Sequence, residues 1–122
     1  MFLVLNHQEL DIHRYSRQFV TACYSLAKKL PPEEKFILSS QIRRAALSVH
    51  LNIAESASRK SSAERKRFYE VARGSLIEVD AALDIAKDLN LINDPDLESI
   101  GTLIVKCFSM LSKLIKSQEN NH

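Results

Sequence analysis

Four histidines, two cysteines and a row of polar residues inside an apolar segment are the groups in this chain with chemistry to offer. His7, His13, His50 and His122 do not cluster in sequence, and Cys23 and Cys107 match no metal-binding spacing. A di-metal carboxylate centre in a helical bundle needs Glu-x-x-His pairs on two facing helices. None occurs, and Glu9 to His13 has the wrong interval. There is no phosphate-cradling glycine loop, no nucleophile elbow and no CxxC motif. The expectation is a chain without metal, cofactor or catalytic residues, its cysteines serving as small core hydrophobes in a reducing compartment.

The polar row lies in "QIRRAALSVHLNIAE", where Gln41, Arg44, Ser48, Asn52 and Glu55 recur at helical spacing. At 100° per residue they share an arc of about 80°. Leu38, Ile42, Ala45, Val49 and Ile53 flank it on one side and Leu47 and Leu51 on the other, while Arg43, His50, Ala54 and Ala57 project from the opposite side. A polar row between apolar rows predicts burial, and buried polar groups need partners. The following helix offers Ser75 and Glu78 to Gln41 and Arg44, and Arg73 to Ser48. The expected device is a buried structural network of Gln41, Arg44, Ser48, Asn52, Glu55, Ser75 and Glu78 that fixes helix register.

Charge is the other candidate for function. The net charge is only +2, but it is unevenly distributed. Arg43 to Arg73 holds eight Lys/Arg against three acids, and Gly74 to Ile100 holds seven acids against Lys87 alone. Arg43, Arg59, Lys60, Arg65, Lys66, Arg67 and Arg73 are therefore the candidate contacts to a polyanion.

The elements that must position these groups follow from periodicity. Asn6 and Glu9 form a capping box, with Leu5 and Leu10 as its hydrophobic staple. Helix one, 7–30, carries an apolar stripe of Ile12, Tyr15, Phe19, Cys23, Leu26 and Leu30, and Pro31-Pro32 stops it. Helix two is expected over 32–57 and helix three over 62–90, capped by Ser61 and Glu64. The heptad seam of helix three reads Phe68, Ala72, Ser75, Val79, Ala82, Ala86 and Leu89, with Asn90 as its stop. Asp94 as cap and Pro95 at the first position open helix four, 95–117. Its two apolar rows run through Leu97, Ile100, Ile104, Phe108, Leu111 and Ile115, and through Leu103, Cys107, Met110 and Leu114.

Four long helices with short loops predict an all-α, antiparallel up-down-up-down bundle in one domain spanning 1–122. Two Gly, three Pro and no Trp in 122 residues agree with helices rather than strands. No stretch reaches the eighteen or so apolar residues of a membrane span, and Phe2 to Leu5 is too short for a signal sequence, so the chain reads as cytoplasmic with no membrane partner. In such a bundle one end gathers Arg59, Lys60, Arg65, Lys66, Arg67, Lys113 and Lys116. The other gathers Glu33, Glu34, Asp84, Asp88, Asp94, Asp96 and Glu98.

"LPPEEKF", "QIRRAALSVHLNIAE" and "RFYEVARGSLIEV" together resemble the four-helix-bundle proteins encoded by intervening sequences in bacterial 23S ribosomal RNA genes. That family is similar to the accessory variability proteins of diversity-generating retroelements. The resemblance covers helices one to three, through QIRRA, NIAE and ARGSL-x-E in order; helix four matches as an amphipathic pattern. It implies an up-down four-helix bundle assembled as a homopentamer; the family's retroelement relatives bind nucleic acid and a reverse transcriptase through a basic surface, and its intervening-sequence members have no established enzymatic activity. Where the family usually has Gly after NIAE, this chain has Ser56, which bears on how helix two ends.

Three functional readings follow. The leading one is a non-enzymatic homo-oligomer that binds RNA or DNA by phosphate contacts, with little aromatic stacking equipment beyond Tyr69. The second is a scaffold that docks a nucleic-acid enzyme. The third is a ribonuclease: Arg44 and His50 resemble the Arg-x4-6-His signature of HEPN ribonucleases, although helix geometry turns His50 about 120° away from Arg44.

Overall fold

The computed structural model describes Phe2 and residues 10–120, which form four α-helices, one 3-10 turn and no strand. The Asn6–Glu9 capping box and Leu5–Leu10 staple lie outside the described residues. Helix α1, Leu10–Ala27, is shorter at its C-terminus than the expected 30, because Lys29 and Leu30 donate to Leu26 and Ala27 in tighter i→i+3 bonds. Its stripe is as read: Ile12, Phe19, Cys23, Leu26 and Leu30 are buried and Tyr15 is half-buried.

Helix two does not run unbroken from Pro32. Pro32–Glu34 is a 3-10 turn, and α2, Leu38–Ser56, starts after Ile37 leaves the helical region at φ −117°, ψ −92°. The break places Ser39 so that its hydroxyl donates to the carbonyl of Ala27 at 3.2 Å, beside the Leu30 N–H, tying the end of α1 to the start of α2. Phe36 and Ile37 are left exposed by the turn. The 19 residues of α2 span about 28 Å. At the other end Ser56 is fully buried and its hydroxyl donates to Ile53 O, so serine seats where the family's glycine was expected.

Helix α3, Ser62–Asp88, opens as read, with the Glu64 backbone N–H donating to Ser61 Oγ at 3.1 Å. It closes in a Schellman motif: Asn90 sits at φ 58°, its N–H donates to Lys87 O, and Leu91 N–H donates to Ala86 O. Its buried seam is rotated from the expected one. Tyr69, Leu76 and Leu83 join Ala72, Val79 and Ala86 inside, Phe68 and Ala82 are half-buried, and Leu89 is exposed. The larger side chains take the core, where each contributes about 1.5–3 kcal/mol on burial. With Tyr69 only 1% exposed, it offers no surface for stacking a base.

Helix α4, Asp94–Glu119, follows Asn93, one residue earlier than expected at the cap. It buries Ile100, Ile104, Cys107, Leu111, Ile115 and Gln118, a row drawn from both expected stripes. These residues join those of α1, α2 and α3 in a single core cluster. Cys23 and Cys107 are free thiols within it, raised by burial to about 12 and about 11.

Candidate functional site

The polar row of α2 comes out at the surface. The face packed in the core is Ile42, Ala45, Ala46, Val49, Ile53 and Ser56; Arg44, Leu47, Leu51 and Glu55 form the outward face. Gln41, Ser48 and Asn52 line the edge toward α3. Part of the expected network exists there: Gln41 donates to Glu78 at 3.3 Å, Ser48 and Ser75 share a 2.9 Å hydrogen bond, and the Asn52 amide donates to Ser48. As α2 advances from Gln41 to Ser48, its partner on α3 recedes from Glu78 to Ser75.

Arg44 is not in that network. It is exposed, with no hydrogen bond or ion pair among the described residues, and the expectation that it is buried is corrected. The reason is the position of the core face: the Ala45–Ala46 pair and Val49 pull the helix inward about an axis that leaves Arg44 outermost. Glu55 pairs instead with Arg59. Arg73 does not meet Ser48; it donates to Ser112 at 3.2 Å and lies over the Phe108 ring at 5.8 Å, tying α3 to α4.

The seven candidate cations divide by what holds them. Arg65 is a structural clamp. Its Nη1 donates to the Arg59 and Lys60 carbonyls at 3.0 and 2.9 Å, and its Nε donates to Gln118 Oε1 at 3.0 Å. The turn between α2 and α3 is thereby fastened to α4. Arg59 pairs with Glu55, approaches Glu64 at 3.9 Å and lies over Phe68 at 4.9 Å. Lys66 meets Glu119 at 3.2 Å. Lys60 and Arg67 are exposed and Arg43 is half-buried, and the side chains of these three make no hydrogen bond or ion pair among the described residues.

A histidine pair joins α1 to α2. His13 is 4% exposed, and its ring meets that of His50 edge-on, centroids 5.2 Å apart. Ser16 Oγ lies 3.1 Å from the His13 carbonyl and shares a 2.7 Å hydrogen bond with His50 Nδ1. Both ring nitrogens of His13 are buried without a hydrogen-bond partner among the described residues. Burial, with His50 and Arg17 adding, pushes the His13 ring down to about 4, and burial and Arg17 lower His50. His50 thus faces α1 while Arg44 faces solvent from the outer side of α2. No cluster of three metal-ligating groups exists among the described residues.

Sequence reasoning missed the clamp and the histidine pair. Gln118 was legible: it continues the spacing of Cys107, Leu111 and Ile115, and a glutamine on a buried row asks for a partner. The His13–His50 contact spans two helices and has no local signal.

One more surface feature is apolar. Leu76, Ile77, Ile104, Val105 and Phe108, with Asp80 at the rim, line a groove of about 330 Å³ between α3 and α4. Ile77 and Val105 are 53% and 70% exposed, well beyond what the core of one chain uses. No helix among the described residues is long and apolar enough to cross a membrane.

Residues 8–113 match the family model described as 23S rRNA-intervening sequence protein. Among solved structures the chain is similar to a protein with unknown function from the S23 ribosomal protein family of Bacteroides thetaiotaomicron VPI-5482. The two are 25% identical with a TM-score of 0.82, over 89% of this chain and 98% of that one. No curated protein sequence matches.

Proposed function

This chain belongs to the 23S rRNA-intervening sequence protein family, and from that premise we propose that it is a non-enzymatic, homo-oligomeric RNA- or DNA-binding accessory factor. The observation that carries the reading is the turn between α2 and α3. Arg59, Lys60, Arg65, Lys66 and Arg67 fall within nine residues there, and the Arg65 clamp fixes the backbone from which Lys60 and Arg67 extend into solvent. Such cations bind phosphates by releasing counterions, which predicts sequence-tolerant, salt-sensitive association. A nucleic acid named in a family's description adds support without identifying the ligand.

The antiparallel up-down-up-down arrangement is supported by the receding partners of α2 on α3. Assembly into a homopentamer, and kinship with retroelement accessory proteins, belong to this same reading. The exposed groove of Ile77, Val105 and Phe108 supports self-association, since apolar surface of this kind is commonly covered by a partner. Placement in the cytoplasm goes with the reading.

The test is titration of a structured RNA hairpin with wild type and with Lys60→Glu/Arg67→Glu. The reading expects the variant to bind at least tenfold more weakly at 50 mM salt. Unchanged affinity in the variant, or no binding by wild type, overturns it.

A second reading has its own observation. Glu78, Asp80, Asp84 and Asp88 give the latter half of α3 an acidic outer side beside exposed Ile77 and Ile85. That combination suits docking of a basic protein such as a nucleic-acid enzyme. A partner that stays bound after nuclease treatment favours it over direct nucleic-acid binding.

A further inference from the structure

We propose that the outer side of α1, continued across the α1–α2 seam to Arg43, is a second phosphate-binding track for the same nucleic acid; this rests on the nucleic-acid binding proposed above. A depression of about 320 Å³ on α1 is lined by Arg14, Arg17, Gln18 and Thr21, with no apolar residue among them. Arg17 is exposed and has no hydrogen bond or ion pair among the described residues. Arg14 is held only loosely, with Asp11 3.6 Å away and the Tyr15 hydroxyl at 3.3 Å.

Arg17 lies close enough to the seam for its charge to act on both His13 and His50. Along the seam-facing edge of α2, Arg43 precedes His50 by seven residues, or about 10 Å along the helix. Arg43 is half-buried and its side chain makes no hydrogen bond or ion pair among the described residues, so its donors are unspent. Two planar guanidinium groups in this state match phosphate geometry better than flexible ammonium groups do.

The wider field agrees. From Ile12 to Ala54 there are seven Lys/Arg against only Glu33 and Glu34, and those two acids sit in the 3-10 turn at one end. The acids of the two helices, Asp11 and Glu55, lie at their ends and pair with Arg14 and Arg59 rather than with Arg17 or Arg43. An acidic protein would meet the same charge, but protein interfaces concentrate their energy in apolar and aromatic anchors, and the depression has none.

The experiment measures binding of a fluorescent RNA hairpin by anisotropy at 50 and 200 mM salt, for wild type, Arg17→Gln/Arg43→Gln and Lys60→Glu/Arg67→Glu, with unlabelled polyglutamate as competitor. The track predicts that Arg17→Gln/Arg43→Gln weakens binding at least tenfold at low salt. It also predicts a fall of about 1.4–1.8 in the salt slope, about 0.7–0.9 per lost phosphate contact. Its melting temperature should match wild type, and Arg14→Gln, at a more exposed position, should give a smaller loss in the same direction. Wild-type affinity and slope in both α1–α2 variants, with binding lost on Lys60→Glu/Arg67→Glu, overturns the track and leaves the proposed function standing. Wild type that fails to bind overturns both. Polyglutamate displacing the RNA at equal charge overturns the assignment to phosphates.

Discussion

Arg65 donates from Nε to the side-chain oxygen of Gln118, 3.0 Å away, across the junction of α3 with α4. Gln118 is 5% exposed, so the bond is made out of most of the water, and the same guanidinium also satisfies two carbonyls of the preceding turn. A cation that the sequence offers as a ligand contact is here part of the frame. Charge-assisted bonds of this kind contribute about 1.5–3 kcal/mol, and removing one partner leaves the other unsatisfied. Arg65→Ala should lower stability by about 2 kcal/mol in urea titration. Arg65→Lys should recover little of it, because an ammonium cannot reproduce the fork.

Adjacent arginines on α2 are expected to be equally dispensable for folding. Arg44 is exposed and Arg43 half-buried, and neither has a polar partner among the described residues. Arg44→Ala and Arg43→Ala should each change stability by no more than about 0.5 kcal/mol. Ser75→Ala should cost about 1 kcal/mol by leaving Ser48 short of its bond. Urea midpoints of the three variants decide this, and a large loss in Arg44→Ala would restore it to the buried network.

The His13–His50 pair makes stability acid-sensitive. A histidine with its folded-state value lowered to about 4 takes up a proton in the unfolded chain first, near the ordinary 6.5. The unfolded state therefore binds more protons between those values, and stability is fully present above about pH 6.5 and lost as pH falls toward 4. The loss from His13 alone should reach about 3 kcal/mol. His13→Phe should flatten this part of the curve in chemical denaturation at pH 7, 5.5 and 4.5. An unchanged slope would show that the pair is not its source.

Self-association should depend on the groove between α3 and α4. Light scattering on a sizing column is expected to give several times the mass of one chain, five for the pentamer. Ile77→Glu/Val105→Glu should reduce it to a monomer, since both side chains lie on the exposed wall. A wild-type monomer would remove the oligomeric part of the account.

Helix number and order were legible because they depend on local rules: the Ser61–Glu64 cap, the Asn90 stop and the Pro31-Pro32 interruption act within one turn of chain. The stripe of α1 was legible for the same reason. The seam of α3 was legible in part: Ala72, Ser75, Val79 and Ala86 are buried as expected, but Tyr69, Leu76 and Leu83 enter the core where Phe68, Ala82 and Leu89 were expected. The 3-10 turn before α2 was hidden, since the bond that accompanies it, from Ser39 Oγ to Ala27 O, is a tertiary contact. Among the candidate cations, sequence located the charge but not its commitments. Arg65, Arg73 and Lys66 are engaged by Gln118, Ser112 and Glu119 on α4, at residues more than thirty positions away.

The most direct test of the central claim is the salt dependence of wild-type binding to a structured RNA. Titration at 50 and 200 mM salt should show tight association at the lower concentration that weakens by about two orders of magnitude or more at the higher, as several phosphate contacts require. Absence of binding at 50 mM, or affinity that does not change with salt, would contradict it.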